Sequence, residues 1–217
     1  GGLGADTIRG DDAASLTGGA DTIFGGIANP QIVFRTNFGD IPLELFADQA
    51  PNTVASFFNY ISDDDYVNSF IHRSIPGFVI QGGGFSFDSN ASTLNPISTD
   101  NGITNEPGIP NTRGTVAMAK LGGDPNSATS QWFVNLNDNT ANLDAQNGGF
   151  TVFGRVIGDD MTVVDAIAAL TTYSLAGLSD FPLINYTSGA VVSSNFVNIA
   201  ALVEAATAPN YFDEASG

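Results

Sequence analysis

The sequence predicts a mostly β, antiparallel fold capped by helices at two points. Short strand-like runs separated by turn residues recur from residue 31 to residue 199, and only two stretches space their apolar residues helically. The chain has 217 residues and no cysteine, so its core must be built by burial alone, and the length suffices for that.

Composition divides the chain. Residues 1–29 are rich in Gly, Asp and Ala, residues 30–204 form the expected folded domain, and 205–217 read as a frayed tail. Within the domain, 173–194 read as an inserted loop laid across the sheet. The first region opens with GGLGADTIR, a full match to G-G-x-G-x-D-x-U-x, echoed at 18–24 by GGADTIF. It resembles a remnant of an RTX-type calcium-binding array, in which Asp6 and Asp21 would ligate Ca2+. About three stacked repeats are needed to bury a core, so one and a half predict little order.

The domain starts with a hairpin, 32–36 and 41–46 around the turn-rich Asn37-Phe38-Gly39-Asp40. Pro51 marks a helix start, and Val54, Phe57, Phe58 and Ile61 give it one apolar face. Asp63-Asp64-Asp65 after it reads as a solvated turn in preference to a calcium site. Strands are expected at 78–81, 114–119, 131–135 and 150–156. A second helix, capped by Asp159-Asp160, runs through Val163, Val164, Ile167 and Leu170, and 195–199 make a last strand. Phe58, Phe85 and Phe153 are expected in the core.

Charge excludes several functions. There are 23 acidic and 6 basic side chains, a net charge of −17, and Lys120 is the sole lysine. No basic patch can be assembled from these, which rules out binding to nucleic acid through phosphates or to an anionic membrane. No apolar run is long enough for a spanning helix. A single histidine, His72, rules out multi-histidine metal sites. The chain opens at Gly1 inside a motif and without methionine, which leaves room for a targeting segment upstream.

Four blocks concentrate the unusual residues: FIHRSIPGFVIQGG from Phe70, AMAK from Ala117, SQWFV from Ser130 and FTVFGRV from Phe150. In this order and spacing they resemble the cyclophilin family of peptidyl-prolyl cis-trans isomerases, bacterial in flavour, from about Ile32 to Leu170. The resemblance implies a closed eight-stranded antiparallel barrel capped by two α-helices, with a substrate groove on its outer face. It implies an enzyme that rotates X-Pro bonds and assists protein folding without a cofactor, an activity that breaks no covalent bond and suits a chain so poor in catalytic residue types.

By the same resemblance Arg73 is the catalytic arginine, with Phe78 and Gln81 beside it. Val79, Phe133 and Leu143 join Phe78 in the proline pocket, and Gln81 and Gln131 orient the peptide. Ala119 and Lys120 pair with its backbone, Phe150 stands where many members have histidine, and His72 is a structural neighbour. Asn142 aligns with a position that is tryptophan or phenylalanine in the family, so weak binding of cyclosporin A is expected. Lys120 replaces an asparagine, and its charge is expected to favour acidic peptides. Partners are therefore proline-containing peptides and unfolded or partly folded proteins, met by a monomer. Two other readings are a weakly active peptide-binding module and a passenger domain of a calcium-dependent extracellular protein. The repeat-like start favours a secreted or periplasmic location over a cytoplasmic one.

Overall fold

Alternation of inward apolar and outward polar residues organises the computed structural model, which describes residues 29–88 and 93–204. The first hairpin joins β1 (Gln31–Thr36) to β2 (Gly39–Leu45) through Asn37-Phe38, with Thr36 paired to Gly39. Gly39 has φ +141°, and a Cβ there would come within 2.7 Å of Val163, so only glycine lets a helix lie this close.

Helix α1 (Pro51–Ser62) buries Val54, Phe57 and Tyr60, while Phe58 and Ile61 lie at the edge of that face, half-buried. Its N-terminus has no cap of its own. Glu106, 54 residues away, supplies one: its carboxylate accepts from the Asn52 and Thr53 backbone N–H groups at 3.1 and 2.9 Å.

The chain continues through β3 (Arg73–Ile75), β4 (Val79–Gly82), β5 (Phe85–Asp88), β6 (Thr93–Pro96), β7 (Thr115–Met118) and β8 (Trp132–Asn135). The one-turn helix α2 (Thr140–Leu143) precedes β9 (Val152–Val156) and helix α3 (Thr162–Ala168). Then come β10 (Thr172–Leu175), β11 (Leu178–Pro182) and β12 (Ile199–Glu204). Eight strands form one curled antiparallel sheet in the order β12-β1-β2-β9-β7-β8-β4-β3. Beyond its two edge strands, the Asn68 and Ile71 N–H groups donate to the carbonyls of Ile199 and Val197, and Ile199 N–H donates to Ser69.

Inside the curl, Phe34 stacks on Trp132 at 4.4 Å, and Phe57 packs on Phe153 at 5.0 Å. Burying such aromatic rings contributes on the order of 2–3 kcal/mol each.

Several expectations are corrected. Phe153 is fully buried, but Phe85 is half-buried and belongs to a satellite cluster with Phe70, Phe181 and Phe196. The stretch from 173 is no plain loop: β10 and β11 form a hairpin turned by Ala176 and Gly177, both at positive φ. Its Phe181 packs on Phe70 at 5.5 Å, which anchors the hairpin beside the sheet. The last strand begins at Ile199, not at 195. Asn195 closes a 3-10 turn instead, its amide accepting from Val192 N–H and donating to the Ile184 carbonyl. Helix α3 stops before Leu170, and Asp160 accepts from Thr162 N–H ahead of it.

Candidate active site

Period-two alternation builds the site on the outer face of the sheet. Arg73 pairs with Gln81, Gln81 with Phe133, Phe133 with Ala117, and Ala117 with Val152, one row across five strands. Cross-strand partners share a face, so this row points outward while Ile80, Val134 and Val116 fill the core. Val79, two residues before Gln81, lies on the same outer face and packs with Phe133, Leu143 and Val152.

A groove of about 210 Å³ opens over this row. Arg73, Phe78, Val79, Gln81, Ala119, Lys120, Phe133, Leu143 and Phe150 line it, as does Gln146. Gln131 stands one step behind: its side-chain oxygen accepts from Gln81 Nε2 at 2.8 Å, and Gln81 Oε1 accepts from Arg73 Nη1 at 3.2 Å. Arg73, Gln81 and Gln131 thus form a chain that aims the guanidinium along the groove, 6.0 Å from the Phe78 ring centroid. Among the described residues the ion pairs are Arg113–Asp165 and Arg155–Glu44, so no carboxylate neutralises Arg73.

The apolar wall has its own supports. Phe150 meets Phe133 edge-on at 5.9 Å, and its N–H donates to the Leu143 carbonyl. Asn139 donates to the Phe78 carbonyl at 2.9 Å and fixes the loop that carries that ring. Gly83, at φ +73°, passes so near Ser130 that a Cβ would lie 2.5 Å from its carbonyl oxygen, which is why glycine follows directly on β4. Phe150 also borders a second cavity of about 320 Å³ lined by Pro107, Gly108, Ile109, Asp144, Gly148 and Gly149.

Two polar residues behave differently from expectation. Asn142 is exposed, lies outside the groove lining and accepts from Gln146 Nε2 at 2.7 Å. Lys120 lines the groove, but its ammonium donates to Asn105 Oδ1 and the carbonyls of Asn147 and Gly149, at 3.1, 2.9 and 2.5 Å. Its three donors are thus taken by neutral oxygens of the protein. Gln146 was not foreseen; it is an ordinary polar residue in a turn, with no pattern to mark it. Asp6 and Asp21 lie outside the described residues, and among those described no three His, Cys, Asp or Glu side chains converge on a metal position.

His72 sits behind the groove, buried, with its ring edge-on to Phe85 at 5.2 Å. Burial, and then the Arg73 charge, lower its pKa from 6.5 to about 4, against a smaller opposing effect of Gln131. The unfolded chain therefore takes up a proton that the folded protein refuses. Stability contributed by neutral His72 is present above pH 6.5 and is lost as the pH falls toward 4, by up to about 3 kcal/mol. Urea unfolding at pH 7 and pH 4.5 should show this loss in the wild type and a smaller one in His72→Gln. Equal losses in both would mean that His72 does not titrate in this way.

The family model described as cyclophilin type peptidyl-prolyl cis-trans isomerase/CLD matches residues 31–186. A peptidyl-prolyl cis-trans isomerase of Acinetobacter baylyi is 41% identical over 148 residues, covering 67% of this chain and 76% of its own. Peptidyl-prolyl cis-trans isomerase B of Escherichia coli is 42% identical over 147 residues, covering 65% and 85%. In structure, a cyclophilin type isomerase of Cryptosporidium parvum, crystallised in the presence of the dipeptide Ala-Pro, superposes with a TM-score of 0.62 at 22% identity, over 82% of this chain and 99% of that one. With an arginine beside an aromatic pocket on the outer face of the sheet, and with these relatives, this chain belongs to the cyclophilin-type peptidyl-prolyl cis-trans isomerases.

Proposed function

We propose that this isomerase turns X-Pro bonds in the 210 Å³ groove by donation from Arg73 to the prolyl nitrogen. The observation that carries this is the Arg73 guanidinium, aligned by Gln81, without a carboxylate partner among the described residues, and next to Phe78 and Phe133. The barrier to rotation is about 18–20 kcal/mol, because amide resonance is lost in the twisted state. Twisting makes the prolyl nitrogen pyramidal and basic, so a donor aimed there stabilises the twisted form more than the planar one. Lowering the barrier by about 7 kcal/mol raises the rate by about five decades. A charge-assisted bond in an apolar setting, with the proline ring fixed by Phe78, Phe133 and Leu143, is of that order.

The chemistry moves no atom between molecules and calls for no cofactor. Peptide backbone would pair along Ala119 and Lys120, with unfolded proteins as the natural substrates. In this reading the sheet closes as a barrel through the hydrogen bonds between Asn68–Ile71 and Val197–Ile199 backbone groups. The repeat-like start supports an exported location and a calcium role for Asp6 and Asp21 once enough repeats are stacked. The function is tested with a chromogenic tetrapeptide containing proline. Catalysed cis-to-trans conversion that a proline-containing competitor peptide suppresses is expected; conversion at the uncatalysed rate would overturn it.

A further inference from the structure

The single lysine of this acidic chain is placed at the groove yet is not offered to a ligand. Its ammonium has three N–H donors, and the acceptors are Asn105 Oδ1 and the carbonyls of Asn147 and Gly149. The same ammonium lies 4.8 Å from the centroid of the Phe150 ring. The turn it grips is unusual: Asn147, Gly148 and Gly149 all have positive φ, at 52°, 74° and 76°. Asn147 is the costly member, since it carries a side chain in a conformation that favours glycine. Asn105 holds the turn from its other side, donating through Nδ2 to the Gly148 and Gly149 carbonyls, each at 2.9 Å. Phe150 follows directly and is the wall shared by the two cavities.

We infer that Lys120 is a positioning residue. It ties the turn at 147–149 to the sheet and holds the Phe150 ring as the partition between the two cavities. It thereby governs how tightly the groove grips the peptide, while Arg73 governs turnover. This rests on the groove being the substrate site. A lysine acting directly on the substrate would need a free donor, and here the three donors meet neutral oxygens of the protein.

The test compares Lys120→Met, which keeps an apolar stem but removes charge and donors, with Lys120→Arg, which restores both. For a neutral proline tetrapeptide, Lys120→Met should raise KM about tenfold with kcat little changed, and Lys120→Arg should recover most of the loss. A peptide carrying glutamate before proline should lose as much as the neutral one. Asn105→Ala loosens the same turn with Lys120 in place and should reproduce the rise in KM, which keeps the test decisive if Lys120→Met folds poorly. An unchanged KM in folded Lys120→Met, a fall in kcat alone, or a loss confined to the acidic peptide would overturn the inference. Failure of the groove itself has another signature: Arg73→Ala would then retain turnover in the same assay.

Discussion

Cyclosporin A should bind this enzyme about 30- to 1,000-fold more weakly than it binds a cyclophilin with tryptophan at the position of Asn142, a loss of about 2–4 kcal/mol. In the family that tryptophan gives the inhibitor an indole N–H and an apolar face. Asn142 offers neither here: it is exposed, off the groove lining, and its amide oxygen is taken by Gln146. The proline pocket of Phe78, Phe133 and Leu143 does not depend on it, so turnover should suffer far less than inhibition. An inhibition titration of the wild type beside Asn142→Trp checks this, with a clear gain in sensitivity expected in the variant. Low-nanomolar inhibition of the wild type, or no gain on adding tryptophan, would show that position 142 does not shape inhibitor binding.

Local patterns were readable in the sequence, and contacts between distant segments were not. The strand runs VIQG and WFVN were legible as strands, and the structure sends Ile80 and Val134 to the core and Gln81 and Phe133 to the groove. Pro51 and the spacing of Val54 and Phe57 placed the first helix. Glu106 as the cap of that helix could not be read, because nothing local links it to residues 54 positions away. The hairpin at 172–182 hid for a similar reason: its strands are short, and its anchor, Phe181, finds Phe70 only in three dimensions. Motif alone lifted Phe133 and Phe78 from core to pocket. At Lys120 the sequence does not tell which acceptors the ammonium finds. Its acceptors, Asn105, Asn147 and Gly149, come from two other loops.

The second large effect expected is at Arg73. Alanine there removes a charged donor that lines the groove and, among the described residues, has no ion-pair partner, whereas the Lys120 ammonium is hydrogen-bonded within the protein. Losing a charge-assisted bond made chiefly to the twisted state should lower kcat/KM by about two decades or more, on the order of 3 kcal/mol. Gln81 loses a partner but keeps its bond to Gln131, and the apolar pocket stays whole, so the fold and peptide binding should persist. NMR exchange spectroscopy on a proline peptide reads both quantities in one sample, the rate of cis-trans exchange and the affinity. The wild type should drive fast exchange, and Arg73→Ala should bind the peptide with similar affinity while exchange collapses. A folded Arg73→Ala that binds the peptide and exchanges it at the wild-type rate would contradict the mechanism.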